Sequence, residues 1–255
     1  MTASQAALAA LAGVAAGLIN AIAGGGTLVS FPALVALGVP AVASNVTNTV
    51  ALVPGYLGGA VAQRRDLLTY AGRLRGLVVA AGVGGLIGSI LLVSTSDEVF
   101  RDLVPFLILL ACGLLGFQER IKAWYVRHRP APDGGPEPTR HPVALTAAVF
   151  AGAVYGGYFG AGLGIMLLAV LGLALDDPLG RINSLKTTLS LLINVLAACF
   201  FVFSGKVEWD FAAVMAVSSL LGGMAGGRVA GRLDPRILRA VVVAFGVIVA
   251  IRFLL

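Results

Sequence analysis

Two sets of five apolar stretches, joined by one polar connection, constrain this chain more than any other feature of its sequence. In the first half they run from Ala6 to Gly24, Thr27 to Gly38, Asn45 to Ala62, Leu74 to Val93 and Val99 to Phe117. In the second they run from Val143 to Gly162, Ile165 to Leu175, Ser184 to Phe203, Phe211 to Ala230 and Ile237 to Leu255. Most are long enough, as helices, to cross about 30 Å of hydrocarbon. The second stretch of each set is not: the 12 residues from Thr27 to Gly38 reach only about 18 Å. With 58% hydrophobic and only 12% charged residues over 255 positions, the chain is too apolar for a soluble domain. Lipid demands that backbone polar groups be satisfied internally, so the expected fold is an all-α polytopic membrane protein of about 8–10 helical segments.

The two sets correspond. A displacement of 138 positions lays Gly24 and Gly26 on Gly162 and Gly164, Asn45 on Asn183 and Thr49 on Thr187. The same displacement lays Gly84-Gly85 on Gly222-Gly223, Gly88 on Gly226 and Arg101 on Arg239. Glycine-rich sequences align by chance, so the weight falls on the Asn, Thr and Arg matches, and a duplicated unit follows. Residues 1–125 and 143–255 are then two transmembrane repeats. Residues 126–142, rich in proline, glycine and charge, form a solvated linker.

Charge decides how the repeats are oriented, because short cytoplasmic loops are enriched in Lys and Arg. In the first half, Arg64, Arg65, Arg73 and Arg75 precede the fourth stretch, and Asp97-Glu98 precede the fifth. In the second half the order reverses: Lys206, Glu208 and Asp210 come before the fourth, and Arg228, Arg232, Arg236 and Arg239 before or within the fifth. Equivalent loops therefore lie on opposite faces, which predicts inverted topology, both termini outside and the linker inside. Such parity needs an odd number of passes per half. The short second stretch is accordingly expected to be broken or re-entrant, returning with the first stretch to the starting side or crossing with it as a short pair.

Gly24-Gly25-Gly26-Thr27 opens the short stretch of the first half, and Gly160-Ala161-Gly162-Leu163-Gly164 opens its counterpart. A glycine turn at a helix start leaves the first N–H groups unpaired, and together with the helix dipole they attract anions. Within hydrocarbon such donors must face a cavity or a ligand. The competing reading is close helix packing through small residues.

The third stretch of each half opens with polar residues: Ser44-Asn45-Val46-Thr47-Asn48-Thr49, and Asn183-Ser184-Leu185-Lys186-Thr187-Thr188. Their hydroxyls and amides suit a mobile oxyanion, or else cap a helix at the membrane surface. Lys186 stands where the first half has Asn48; it either meets the anion or snorkels to the interface. Asn20, Tyr158 and Asn194 are further candidates to line the same cavity, or to bond neighbouring helices.

Other chemistries are excluded or unsupported. The net charge of +6 is topogenic, not a nucleic-acid patch. Cys112 and Cys199 each lie alone in apolar stretches, with neither disulfide nor CxxC pattern, and His128 and His141 are loop residues without metal-ligand spacing. No acid lies mid-stretch, no nucleotide or nucleophile motif occurs, and no catalytic residue, metal or cofactor is expected. The first twenty residues carry no Lys or Arg, so they are expected to be retained, not cleaved as a signal peptide.

The cluster Gly17 to Gly26 followed by Phe31-Pro32, the segment Ala43 to Thr49 with Pro54-Gly55, and Gly156 to Gly164 with Asn183 to Thr188 and Gly205 to Trp209 resemble the TauE/SafE sulfite exporter family of membrane anion transporters. The resemblance spans nearly the whole chain. It implies a multi-pass protein of the cytoplasmic (inner) membrane that moves sulfite, sulfonates such as sulfoacetate, or related organic anions, usually outward. Ala161, Leu163 and Lys186 depart from the family's plainer pattern. The expected partners are a small anion and the bilayer; the coupling ion and the oligomeric state, a homo-oligomer included, stay open. A site built from Asn20, Gly24, Gly25, Gly26, Thr27, Asn45, Asn48, Thr49, Tyr158, Gly162, Gly164, Asn183, Lys186, Thr187 and Asn194 is the leading expectation. The alternative is a non-transporting membrane scaffold or insertion factor.

Overall fold

A computed structural model describes residues 1–22, 25–62, 71–128, 142–175, 179–229 and 235–254. Among them the chain forms ten helices: α1 (Ala3–Ile22), α2 (Thr27–Ala36), α3 (Ala41–Ala62), α4 (Ala71–Ser94), α5 (Asp97–His128), α6 (Pro142–Tyr158), α7 (Leu163–Ala174), α8 (Leu179–Val202), α9 (Trp209–Val229) and α10 (Pro235–Leu254). Six are long and apolar enough to cross a membrane, namely α1, α4, α5, α8, α9 and α10. The 12-residue α7 and the 10-residue α2 are too short to cross alone.

Both short helices return along the helix before them. The Gly26 backbone abuts the Ala16 carbonyl of α1, while at the far end of α2 the Gln5 amide donates to the Leu37 carbonyl at 3.2 Å. The chain thus enters from one end on α1, turns in the interior, and comes back on α2. Gly38, at φ +91°, closes α2: the Val39 N–H reaches the Leu34 carbonyl and the Gly38 N–H that of Val35, the paired bonds of a left-handed helix stop. In the second half Gly156 lies against Leu163, and Gly152 against Met166 and Leu167, so α7 runs back along α6. Of the two arrangements open to the sequence, each pair is a re-entrant hairpin.

The N-terminus and three connections gather at one end of the bundle. The Met1 amino group pairs with Asp210 at 3.5 Å, and the Asp97 carboxylate accepts the Val42 N–H at 2.8 Å, capping α3 from the start of α5. The Lys206 ammonium donates to the Val93 carbonyl at 2.9 Å, and the Glu208 N–H to the Thr47 hydroxyl at 2.9 Å. Helix directions follow. Starting from this end are α1, α3, α5 and α9; α4 and α8 finish here. Contacts between Ile108 and Gly246, Cys112 and Val243, and Glu119 and Arg239 make α10 antiparallel to α5. Asp97, Glu98, Asp102, Glu208 and Asp210 lie at this end and outnumber Arg101, Lys206 and Arg252 there. Arg120, Arg127, Arg228, Arg236 and Arg239 lie toward the other.

Two crossings hold the long helices. Gly13, Gly17, Gly222 and Gly226 let α1 and α9 touch backbone to backbone; a β-carbon on Gly17 would stand 2.0 Å from the Ser219 carbonyl. Gly84, Gly88 and Gly157 do the same for α4 and α6, where a β-carbon on Gly88 would stand 2.1 Å from the Val154 carbonyl. In lipid, where apolar surface gains little from burial, such close contact supplies much of the association. The packing reading therefore holds for these glycines. Helix α5 extends eleven residues past the apolar stretch ending at Phe117, because Gln118 to His128 are mostly good helix formers that carry the helix out of the apolar layer.

Candidate functional site

The turns of the two hairpins converge on one stretch of α5. A β-carbon on Gly25 would lie 3.2 Å from the Leu115 side chain, and one on Gly162 would lie 3.4 Å from the Ala111 backbone, one helical turn away. Gly25, Gly160 and Gly162 have φ of +87°, +79° and +75°, a region that only glycine enters cheaply, so these turns need glycine for their backbone and not merely for packing. The hairpins also meet through aromatic rings: Phe31 of α2 sets its edge against Phe159, with centroids 5.5 Å apart, and against Phe100 of α5 at 6.2 Å.

At the first tip the polar groups satisfy one another. The Asn20 carboxamide oxygen accepts the Gly26 N–H at 2.8 Å, so one donor expected to point at a ligand is sealed by a side chain. The Ser30 hydroxyl lies between the Gly26 carbonyl, at 3.2 Å, and the Asn48 carboxamide oxygen. Thr27, Ser30 and Asn48 are all buried here. Gly24 lies outside the described residues.

The second tip is built differently. Gly162 caps α7 without help from any side chain. The Leu163 N–H reaches the Gly160 carbonyl, and those of Ile165 and Met166 reach that of Gly162. Among the described residues none accepts from the Gly164 amide. The half-buried Lys186 side chain runs over this turn, its Nζ 4.0 Å from where a Gly164 β-carbon would stand. The segment around position 186 of α8 thus meets the start of α7, as that around position 48 of α3 meets the start of α2.

Neither polar segment caps its helix, since Ser44 to Thr49 lie inside α3 and Asn183 to Thr188 inside α8. Thr49, Thr187 and Thr188 return their hydroxyl hydrogens to the carbonyls of Asn45, Asn183 and Ser184. Asn45, 1% exposed, donates to the Tyr158 carbonyl at 2.8 Å and ties α3 to the end of α6, and its own carboxamide oxygen has no partner among the described residues. The Tyr158 hydroxyl meets Thr95 at 3.4 Å near the acidic end, away from the tips. Asn194 donates to the Ser190 carbonyl at 2.8 Å within α8. The geometry thus gathers Asn20, Gly26 and Asn48 at one tip, and Gly162, Gly164 and Lys186 at the other. Ser30 was missed by sequence reasoning, although its place one turn after Gly26 marks it. Among the described residues no group of His, Cys, Asp and Glu could hold a metal.

The ten helices of the described residues, with their paired re-entrant hairpins, define an all-helical, multi-pass membrane protein, and its relatives place it among transporters. The chain belongs to the family described as sulfite exporter TauE/SafE, whose model matches residues 9–253. It is 27% identical over 237 residues to a probable membrane transporter protein of Haemophilus influenzae, covering 91% of this chain and 87% of that one. It is 24% identical over 245 residues to the probable membrane transporter protein YfcA of Escherichia coli K12, covering 94% and 86%. Against the probable membrane transporter protein ORF9 of a Sinorhizobium species the identity is 26% over 245 residues, covering 94% and 88%. No solved structure matches the chain.

Proposed function

We propose that this chain is a secondary transporter that moves a small oxyanion of the sulfite or sulfonate type, sulfoacetate included, outward across the cytoplasmic membrane. The observation that carries the proposal is the meeting of two glycine-tipped hairpins, entering from opposite ends, at Ala111 to Leu115 of α5. Interrupted helices whose N-termini face a shared midplane site are a recurring way to hold an anion in a carrier. The Gly164 amide and the Lys186 ammonium supply donors and positive charge at the second tip.

The reading includes two inverted repeats with the basic end in the cytoplasm. It is supported by the opposite directions of α3 and α8, of α4 and α9, and of α5 and α10, and by the excess of acids at one end and of arginines at the other. Alternating access then comes from one bundle moving against the other around the hairpin tips.

The test is flux in proteoliposomes with sulfite, sulfate, thiosulfate, sulfoacetate and carboxylates, for wild type, Lys186→Ala and Asn48→Ala. Saturable flux of an oxyanion that scales with protein supports transport. A wild type that moves none of them points to the scaffold reading, and unchanged saturation in both variants removes those side chains from the site.

A further inference from the structure

Ser190 lies on α8 four residues beyond Lys186, and therefore on the same face one turn further into the bundle. It is 7% exposed, and its hydroxyl has no hydrogen-bond partner among the described residues. A serine within a helix ordinarily returns its hydroxyl to the carbonyl four residues back, as Ser89 does to Gly85 at 2.8 Å and as Thr187 and Thr188 do on α8 itself. Ser190 leaves that bond unmade, and a buried hydroxyl without a partner is costly unless something else fills the role.

Its position says what that something is. Ser190 lies on α8 between Lys186, whose side chain runs over Gly164, and Ile193, so its hydroxyl is near the level of the second hairpin tip. Ile193, on the next turn of α8, approaches Gly156 at the point where Leu163, the first residue of α7, also approaches it. Along one side of α8, Asn183, Lys186, Ser190 and Asn194 recur at intervals of three and four residues, a polar stripe leading to the tip. The position equivalent to Ser190 in the first half is Leu52, buried at 2% exposure, so the hydroxyl belongs to one side of the centre only.

We infer that Ser190 is a substrate-contacting, specificity-determining residue whose hydroxyl donates to the same oxyanion that the Gly164 amide and Lys186 hold. The inference rests on the transporter reading. Three donors of different kinds, an ammonium, a backbone amide and a hydroxyl, fit an anion that offers several oxygens on one centre, as sulfite, sulfonates and carboxylates do.

The test compares wild type, Ser190→Ala and Ser190→Thr by flux kinetics in proteoliposomes and by thermal unfolding midpoint in detergent, with the anion that wild type transports. Ser190→Ala is expected to raise KM by about tenfold or more, the loss typical of a hydrogen bond to a charged group, and Ser190→Thr to restore most of it. The alanine variant should unfold no earlier than wild type, because its lost hydroxyl has no partner among the described residues. A KM within twofold of wild type in Ser190→Ala overturns the inference and leaves the transporter reading standing. A lower midpoint overturns it too, by revealing a structural role. Absence of flux in wild type instead defeats the transporter reading, and the assignment of Ser190 with it.

Discussion

Replacing Gly222 by alanine should prise α1 from α9. The new β-carbon would stand 2.1 Å from the Val14 carbonyl oxygen and 2.7 Å from its α-carbon, both backbone atoms that no rotamer change can move. An ordinary carbon–oxygen contact is about 3.3 Å, so the two axes must separate by about 1 Å at the crossing. A gap of that size forfeits a quarter to a half of the dispersion energy along the interface, and overpacking of this kind costs about 1–3 kcal/mol. Gly113→Ala on α5 is the matched control: nothing lies within 4 Å of its β-carbon, and a helix-interior glycine replaced by alanine gains about 0.5–1 kcal/mol. Gly222 is interior to α9 and shares that gain, so the two variants should differ by the overpacking cost, about 1–3 kcal/mol, in equilibrium unfolding from mixed micelles. Gly17→Ala strains the same crossing, with its β-carbon 2.0 Å from the Ser219 carbonyl, so Gly17→Ala combined with Gly222→Ala should cost less than the sum of the two. Equal stabilities for Gly222→Ala and Gly113→Ala would refute the crossing, and strict additivity would refute its being a single contact.

At the second tip, Gly162→Ala has room for a methyl group, with Ala111 at 3.4 Å, but φ is +75°; a loss of about 1–2 kcal/mol in unfolding free energy is expected, and no loss would mean that the turn relaxes. Cysteines introduced at Ser96 and Glu208 should react with an impermeant maleimide from one side of the membrane, and one at Arg127 from the other; a common side for Ser96 and Arg127 would contradict the path of α5. Asn48→Ala removes the acceptor of the Ser30 hydroxyl and should lower stability by about 1 kcal/mol with little change in KM. Lys186→Ala should raise KM, and an effect on stability alone would move Lys186 out of the site.

What the sequence discloses is governed by range. The short helices and their glycine turns are local, and both are legible. That Gly38 ends α2 is equally local, since a left-handed stop needs glycine there. Which helices cross is not legible: Gly17 and Gly222 answer each other from positions some two hundred residues apart, and nothing in either segment names its partner. Hydropathy likewise ends the fifth stretch at Phe117, because it senses the apolar layer and not the helix, which runs on to His128. Donor traffic at the tips is also hidden. A lone Asn20 reads as a polar group awaiting a ligand, and only the fold turns its carboxamide oxygen onto the Gly26 amide.

That last difference separates the two tips in kind. If both were equal anion seats, each would need its first amides free, yet Asn20 occupies one at Gly26, and Ser30 and Asn48 satisfy each other beside it. The counterparts of these three residues, at the same displacement of 138, are Tyr158, Leu168 and Lys186. None of them seals the second tip in the same way: Tyr158 turns its hydroxyl toward Thr95, Leu168 is apolar, and Lys186 brings a cation over Gly164. On the proposed duplication, substitution at three positions made one of two similar hairpins a closed abutment and left the other with an amide that has no acceptor among the described residues, beside the Lys186 side chain. On the proposed transporter reading, a small anion between them would be drawn to the second by charge and hydrogen bonds together, while the first would confine it by shape.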